Sequence, residues 1–329
     1  MSEYKPILNL IETEVAIKFI KDTFEKKFSK SLHLTRVSAP LFVLPESGLN
    51  DYLNGTERPV RFDVLHLKRD VEIVQSLAKW KRMALGKYQF PVDSGLYTDM
   101  NAIRRDETLD ATHSIYVDQW DWERIICKEE RNLTFLKDIV RKIYQVILDL
   151  SVSVSRKYPE CAVHLPSDIF FISTKELEEM YPNLSRKERE KQITKEKYSV
   201  FLYQIGWDLR DGLPHDGRAA DYDDWNLNGD ILLWDEVLDA PLEISSMGIR
   251  VDETSLPKQL EKRNEQYKLE NDYVKQILSH QLPLTIGGGI GQSRLCMYFL
   301  KKKHIGEVQA SIWDEEEINQ LRKENIHLL

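Results

Sequence analysis

Near its carboxy-terminal end the chain reads Gly287-Gly288-Gly289-Ile290-Gly291-Gln292-Ser293-Arg294-Leu295. Glycine lets a backbone approach a ligand closely or take positive φ. Arg294, opening the apolar run Leu295, Met297, Phe299 and Leu300, can fork two hydrogen bonds onto a phosphate. The same segment reads equally as a plain turn before a helix. A second cation, Arg104, follows an apolar stretch and precedes Asp106 and Glu107, which suits either a phosphate contact or a hairpin loop with paired charges. Asp230 and Glu243 each sit among apolar neighbours, and a buried carboxylate needs a partner. Hard oxygen ligands of this kind hold Mg²⁺ at ATP phosphates, or they remain hydrogen-bonded structural acids. Gln75 and Ser76 stand where a strand gives way to a helix carrying Lys79 and Lys81, so free N–H groups there would attract an anion. A helix cap with solvent-facing lysines fits those residues too. His215, Asp216, Arg218, Asp221, Asp223 and Asp224 fall within ten residues at no standard metal spacing, as in a polar active-site loop or a solvated one.

The elements that must position these groups follow from periodicity. Ala16, Phe19, Ile20, Phe24 and Phe28 make one stripe at helical spacing between residues 12 and 28. Residues 34–43 are rich in β-formers but interrupted by Pro40, which predicts an edge or interface strand. Residues 60–74 read as strands about a turn, and helical spacing resumes through Leu77, Trp80 and Leu85. Residues 101–105 and 114–120 predict a strand pair joined by an acidic loop. A long helix starts near Asn132 or Thr134 and buries Leu136, Ile139, Val140, Ile143, Ile147 and Leu150. Residues 169–172, 200–205 and 231–234 read as strands, 185–197 as a solvated helix face and 214–228 as a polar loop. Strand pairs interspersed with helices, without regular βαβα alternation, predict an α+β fold, and nothing resembles a linker; a single domain over 1–329 is expected.

Composition narrows the function. The 329 residues are 42% hydrophobic and 30% charged, an ordinary globular balance. A net charge of −8 disfavours a surface that grips nucleic acid. Cys127, Cys161 and Cys296 are far apart and match no metal spacing, so a reduced, cytoplasmic protein is expected. No apolar run reaches transmembrane length, and the first 30 residues, mixed in charge, look like neither a signal nor a transit peptide, so no membrane partner is expected.

Taken in order, these segments resemble the catalytic core of class II aminoacyl-tRNA synthetases. Arg36-Val37-Ser38-Ala39-Pro40-Leu41 is similar to that class's first motif, which implies a homodimer through the segment around Pro40. Arg104-Arg105-Asp106 is similar to the second motif, which implies that Arg104 meets the α-phosphate of ATP. Gly289 through Leu295 is similar to the third, which places Gly289 at the nucleotide and Arg294 at the γ-phosphate. A nearer resemblance is to the ammonia-dependent asparagine synthetases of the A type, over nearly the whole chain. It rests on runs such as Ser76-Leu77-Ala78-Lys79-Trp80-Lys81-Arg82, Tyr116 through Arg124, Asp221-Tyr222-Asp223-Asp224-Trp225, Leu227-Asn228-Gly229-Asp230-Ile231 and Ser245 through Asp252.

That resemblance implies an α+β core built mainly on an antiparallel sheet, and a reaction in which L-aspartate, ATP and ammonia give asparagine, AMP and pyrophosphate. It implies Mg²⁺ near Asp230 and Glu243, and a nucleotide held by Arg104, Asp230, Glu243, Gly289 and Arg294. Lys81 and Arg250 occupy places that hold the side-chain carboxylate in the aspartyl branch. Here the β-carboxylate must react, so they are expected to hold the α-carboxylate, with Ser76, Gln119 and Ser246 nearby. Ammonium must lose a proton before it attacks. Asp51, in Leu49-Asn50-Asp51-Tyr52-Leu53-Asn54-Gly55, is the candidate base by position in the family pattern, with Asp121 and Asp223 behind it. An aspartate before Gly55 also suits a turn.

Overall fold

A computed structural model describes residues 4–53 and 57–329; Asn54 and Gly55 of the Asp51 segment lie outside them. In chain order the helices are α1 (Leu10–Leu32), α2 (Ala78–Lys87), α3 (Leu133–Lys157), α4 (Thr174–Met180), α5 (Arg186–Lys197), α6 (Ser255–Lys262), α7 (Asp272–Leu278), α8 (Gln292–Phe299) and α9 (Glu315–Lys323). The strands are β1 (Leu34–Arg36), β2 (Phe42–Val43), β3 (Arg61–Val64), β4 (Arg69–Ile73), β5 (Gly95–Ile103), β6 (Tyr116–Ile125), β7 (Phe170–Ser173), β8 (Ser199–Tyr203), β9 (Asp223–Asp235), β10 (Ala240–Arg250) and β11 (Thr285–Gly291). Among the described residues, eight strands pair in the order β1-β5-β6-β11-β10-β9-β8-β7 and three in the order β2-β4-β3. Only the outermost pairs of the large sheet, β1 with β5 and β7 with β8, are parallel. The expected α+β class with a mainly antiparallel sheet is what the chain forms.

Alternation along β6 divides core from site. Trp120 and Trp122 turn to one face, where Phe24 of α1 stacks on Trp120 at 4.6 Å between centroids and Phe28 meets Trp122 edge-on. The α3 stripe Leu136, Ile139, Val140, Ile143, Ile147 and Leu150 is buried in the same cluster. The alternate residues Gln119, Asp121 and Glu123 turn to the other face, beneath α2. Asn132 caps α3 by accepting from the Phe135 N–H at 2.9 Å, which sets the start of that helix.

Four local expectations change. The segment 34–43 is two strands in two sheets, because Pro40 has no N–H to continue a ladder and residues 37–40 leave the large sheet. The glycine-rich segment is strand β11, not a turn, and none of its glycines has positive φ. The polar loop 214–228 ends early, since β9 starts at Asp223. The charged helix α5 is not merely solvated: Arg189, Glu190, Ile193 and Thr194 are buried, and Glu190 meets the His215 ring at 2.8 Å. A helix in which nine of twelve residues are charged gives no period from which that inward face could be read.

Candidate active site

A cavity of about 390 Å³ opens over the large sheet between β6, β10, β11, α2 and the loops after β5 and β8. It gathers nearly all the groups singled out from the sequence. Asp51, Ser76, Lys81, Arg104, Gln119, Asp121, Asp223, Glu243, Ser246, Arg250, Gly289 and Arg294 all line it. Asp230 does not; it lies behind the wall on β9, paired with Arg218, which does line the cavity.

The absence of side chains on β11 makes this gathering possible. A Cβ on Gly287 would fall on the Glu123 carboxylate and 2.7 Å from Arg250 Nη2, and one on Gly289 would fall on the Gln119 amide. Side chains of β6 and β10 therefore reach across β11 to each other. The strand's glycines serve close approach rather than unusual φ.

Lys81 and Arg250 sit in one buried network. Lys81 Nζ pairs with Asp121 and donates to the carbonyls of Trp122 at 2.9 Å and Gly288 at 3.2 Å. Arg250 donates through Nε and Nη2 to Glu123 and through Nη1 to Asp223. Thr285 Oγ1 adds a hydrogen bond to Glu123 at 2.7 Å. Burial tends to raise Glu123, but the Arg250 guanidinium and Lys81 outweigh it and hold the carboxyl below its usual range. Burial wins at Asp121 and Asp223, which are both raised despite their cations. The lysines of α2 were open to a reading as solvent-facing; Lys79 and Lys81 are instead only 5% and 1% exposed.

Asp51 forms a second group. Its backbone is fixed by Asn50 and Gln75: the Asp51 N–H donates to Asn50 Oδ1 at 3.0 Å, and Gln75 Nε2 donates to the Asp51 carbonyl at 3.0 Å. Oδ1 accepts from the Leu53 N–H at 3.0 Å, while Oδ2 is buried with no partner among the described residues. Burial pushes the carboxyl up to about 6, Lys79 opposing and Asp221 reinforcing the shift.

The third group is built for anions. Arg104 stands just past the end of β5, its Nη1 3.8 Å from Glu107 and its Nε buried without a partner among the described residues. Arg294, in the first turn of α8, donates to the Glu243 carbonyl at 3.0 Å and to the Thr112 carbonyl at 3.4 Å. Thr112 lies in the loop that Arg104 opens, so the two guanidinium groups flank one space. Register shifts in β10 at Glu243/Ser245 and Gly248/Arg250 place Glu243, Ser246 and Arg250 on the same cavity wall.

Arg218 is the cation that sequence reasoning saw in a cluster but did not assign. It bridges Asp216 at 3.1 Å and Asp230. Burial raises Asp230 to about 7, against Arg218 and with the help of Glu243, and its Oδ1 has no partner among the described residues. Glu123 and Asp221 also went unassigned, although both lie in runs singled out above. Nothing in a lone sequence marks which acids of such a run point inward. Among the described residues no group of three His, Cys, Asp or Glu side chains could hold a metal by itself, and no helix is long and apolar enough to cross a membrane.

The fold is that of the catalytic cores of class II aminoacyl-tRNA synthetases. The chain superposes on asparaginyl-tRNA synthetase from Pyrococcus horikoshii complexed with asparaginyl-adenylate (TM-score 0.65, 15% identity, 92% of this chain and 70% of that one). It superposes similarly on the asparaginyl-tRNA synthetase of Entamoeba histolytica in complex with asparaginyl-adenylate (TM-score 0.63, 14% identity, 91% of this chain and 66% of that one). The chain belongs to the aspartate–ammonia ligase family, whose model matches residues 11–325. It is 58% identical over 325 residues to an aspartate–ammonia ligase of Bacillus cytotoxicus, covering 99% of both chains. It is 60% identical over 331 residues to one of Clostridium tetani, covering 99% of this chain and 96% of that one.

Proposed function

We propose that this chain ligates ammonia to the β-carboxylate of L-aspartate at the expense of ATP, through a β-aspartyl-adenylate. A β-carboxylate oxygen attacks the α-phosphorus and pyrophosphate leaves. Ammonium gives one proton to a base, and the freed nitrogen lone pair attacks the acyl carbon. The acyl C–O bond then breaks with its electron pair going to AMP, and the nitrogen sheds a second proton as the amide of asparagine forms. The observation that carries this reading is the single cavity shared by Arg104, Arg294, Arg250 and Asp51, in a member of the aspartate–ammonia ligase family.

Arg104 neutralises charge on the α-phosphate and Arg294, held by the Glu243 and Thr112 carbonyls, on the γ-phosphate. The glycine wall of β11 lets the nucleotide lie against backbone at Gly289. Arg250 uses Nε and one N–H on each Nη for Glu123 and Asp223; its remaining N–H groups hold the substrate's α-carboxylate. Lys81 has all its donors committed, so it contributes charge unless the substrate displaces a partner. Ser76, Gln119 and Ser246 complete the aspartate site. Asp51 takes the proton from ammonium at its unpartnered Oδ2, with Asp121 and Asp223 behind it, each paired with a cation, Lys81 and Arg250 respectively.

Mg²⁺ would be held at Glu243, whose carboxylate lines the cavity and leaves places for phosphate oxygens and water, and there it would neutralise phosphate charge; Asp230, paired with Arg218 behind the wall, would back that place rather than ligate the ion. A homodimer through the segment around Pro40 is supported by Leu41 and Phe42, which are 49% and 45% exposed. A cytoplasmic setting is supported by three unpaired thiols. Nucleic acid and membrane have no part in this reading. The test is incubation with aspartate, ATP, Mg²⁺ and ammonium, with ¹⁸O in the β-carboxylate. Equal yields of asparagine, AMP and pyrophosphate, with one label in the AMP phosphate, are expected; ADP or unlabelled AMP overturns the proposal.

A further inference from the structure

Beneath Asp51 lies a buried ion pair that the reaction as described does not use. Lys79, in the first turn of α2, places Nζ 2.7 Å from Asp221 Oδ2, and both side chains are almost wholly buried. The same Nζ donates to the carbonyls of Asn50 at 3.4 Å and Gly48 at 3.5 Å, the residues that lead into Asp51. Asp221 belongs to the loop between β8 and β9 and is followed by Tyr222 and Asp223, which line the cavity. One ammonium group thus ties the segment carrying Asp51 to the loop that delivers part of the opposite wall. Breaking a buried pair by removing one partner leaves an uncompensated charge, so losing either Lys79 or Asp221 is costly.

Resting on the reading of Asp51 as the base, we propose that Lys79 and Asp221 are a positioning pair for the ammonia step: Lys79 fixes the Asp51 segment and sets a positive charge beside it, and Asp221 holds Lys79 there. The groups facing Asp51 and this pair come from every packed element: Lys79 on α2, Asp221 and Tyr222 in the loop, Lys268 before α7, and Tyr273 on α7. Lys268 Nζ stands 3.5 Å from Asp221 Oδ2 and also meets Glu265, so it reinforces the pair from outside without replacing Lys79. Lys79 favours the ionised form of Asp51, and Asp221 opposes it. Adenylate formation as described uses neither Lys79 nor Asp221, which separates this role from a general structural one.

The test compares Lys79→Met, Lys79→Arg and Asp221→Asn with Asp51→Asn in two assays. Aspartate-dependent exchange of pyrophosphate into ATP reports the first half-reaction. Turnover with ammonium, and with hydroxylamine, which is uncharged at neutral pH and needs no base, reports the second. For Lys79→Met, exchange should fall no more than about threefold while kcat/KM for ammonium falls about tenfold or more. Its acid limb should move up by about one pH unit as a neighbouring positive charge is lost. Hydroxylamine turnover should fall less than ammonium turnover, Lys79→Arg should restore most of the loss, and Asp221→Asn should lose ammonium turnover selectively. Equal losses in exchange and ammonium turnover, with the acid limb unmoved, overturn the positioning role while leaving the Asp51 reading intact. Undiminished ammonium turnover in Asp51→Asn overturns both.

Discussion

Arg250 meets Glu123 side on, with Nε 2.9 Å from Oε1 and Nη2 2.7 Å from Oε2, across a strand that carries glycine between them. Two parallel hydrogen bonds fix the plane of the guanidinium as well as its position. Glu123 is wholly buried and does not line the cavity, so it orients Arg250 rather than touching substrate. Glu123→Ala leaves Arg250 short of its main counter-charge. Loss of roughly 3–5 kcal/mol in urea unfolding is expected. A loss below about 1 kcal/mol would mean that Asp223 alone suffices for Arg250.

The aspartate site makes a separate prediction. Arg250→Ala removes hydrogen bonds to a charged ligand group, and Lys81→Ala removes a buried charge beside it. Hydrogen bonds of that kind contribute about 1.5–3 kcal/mol, so aspartate affinity should fall about ten- to a hundredfold in Arg250→Ala. Calorimetric titration with aspartate, and with ATP as the control, decides it. The aspartate assignment fails if both variants bind aspartate as tightly as the parent.

Much of this site was legible in the sequence because chemistry restricts residue type more than fold does. Arg104 and Arg294 were marked by charge beside acids or glycine, and Arg250 and Asp51 by the family resemblance; all four share one cavity. Local geometry was harder to read. Gly287 through Gly291 suggested a turn because glycine favours turns, yet here neighbouring strands' side chains must pass over the strand. Lys79 and Lys81 suggested solvent because lysines seldom lie buried, and only the acids brought from β6 and the 214–222 loop make their burial tolerable. Asp230 read as a cavity ligand, but its partner Arg218 takes the place at the wall. In each case the missing information was which distant segment would arrive opposite.

Arg104 and Arg294, proposed above to meet phosphate, should act on rate more than on folding. Both are partly exposed, at 26% and 22% of their side chains, and among the described residues their carboxylate partners, Glu107 and Glu243, stand 3.8 Å away. Arg104→Ala and Arg294→Ala should therefore unfold near the parent's midpoint. Loss of a preorganised donor aimed at developing charge costs about 10²–10³ in kcat. Pyrophosphate exchange measured with each variant checks this, and a change confined to KM for ATP would assign them to ground-state binding instead.

The last prediction concerns the stability that Asp51 withholds. Its folded value of about 6 lies above the ordinary aspartate value of 3.8, and burial is the chief cause. A carboxyl raised in this way adds stability that is fully present below the unfolded value and lost as pH rises through the folded one. The parent should therefore weaken between about pH 4 and pH 6 on account of this group, and the penalty above pH 7 is at most about 3 kcal/mol. Asp51→Asn removes the charge but keeps an acceptor for the Leu53 N–H. It should unfold with the parent at pH 4 and be more stable above pH 7, while losing ammonium-dependent turnover. Urea unfolding of both proteins across pH 4–8 measures the difference. A constant gap at all pH values would show that the variant acts through packing, and no gap would place Asp51's charge in water rather than in the wall of the cavity.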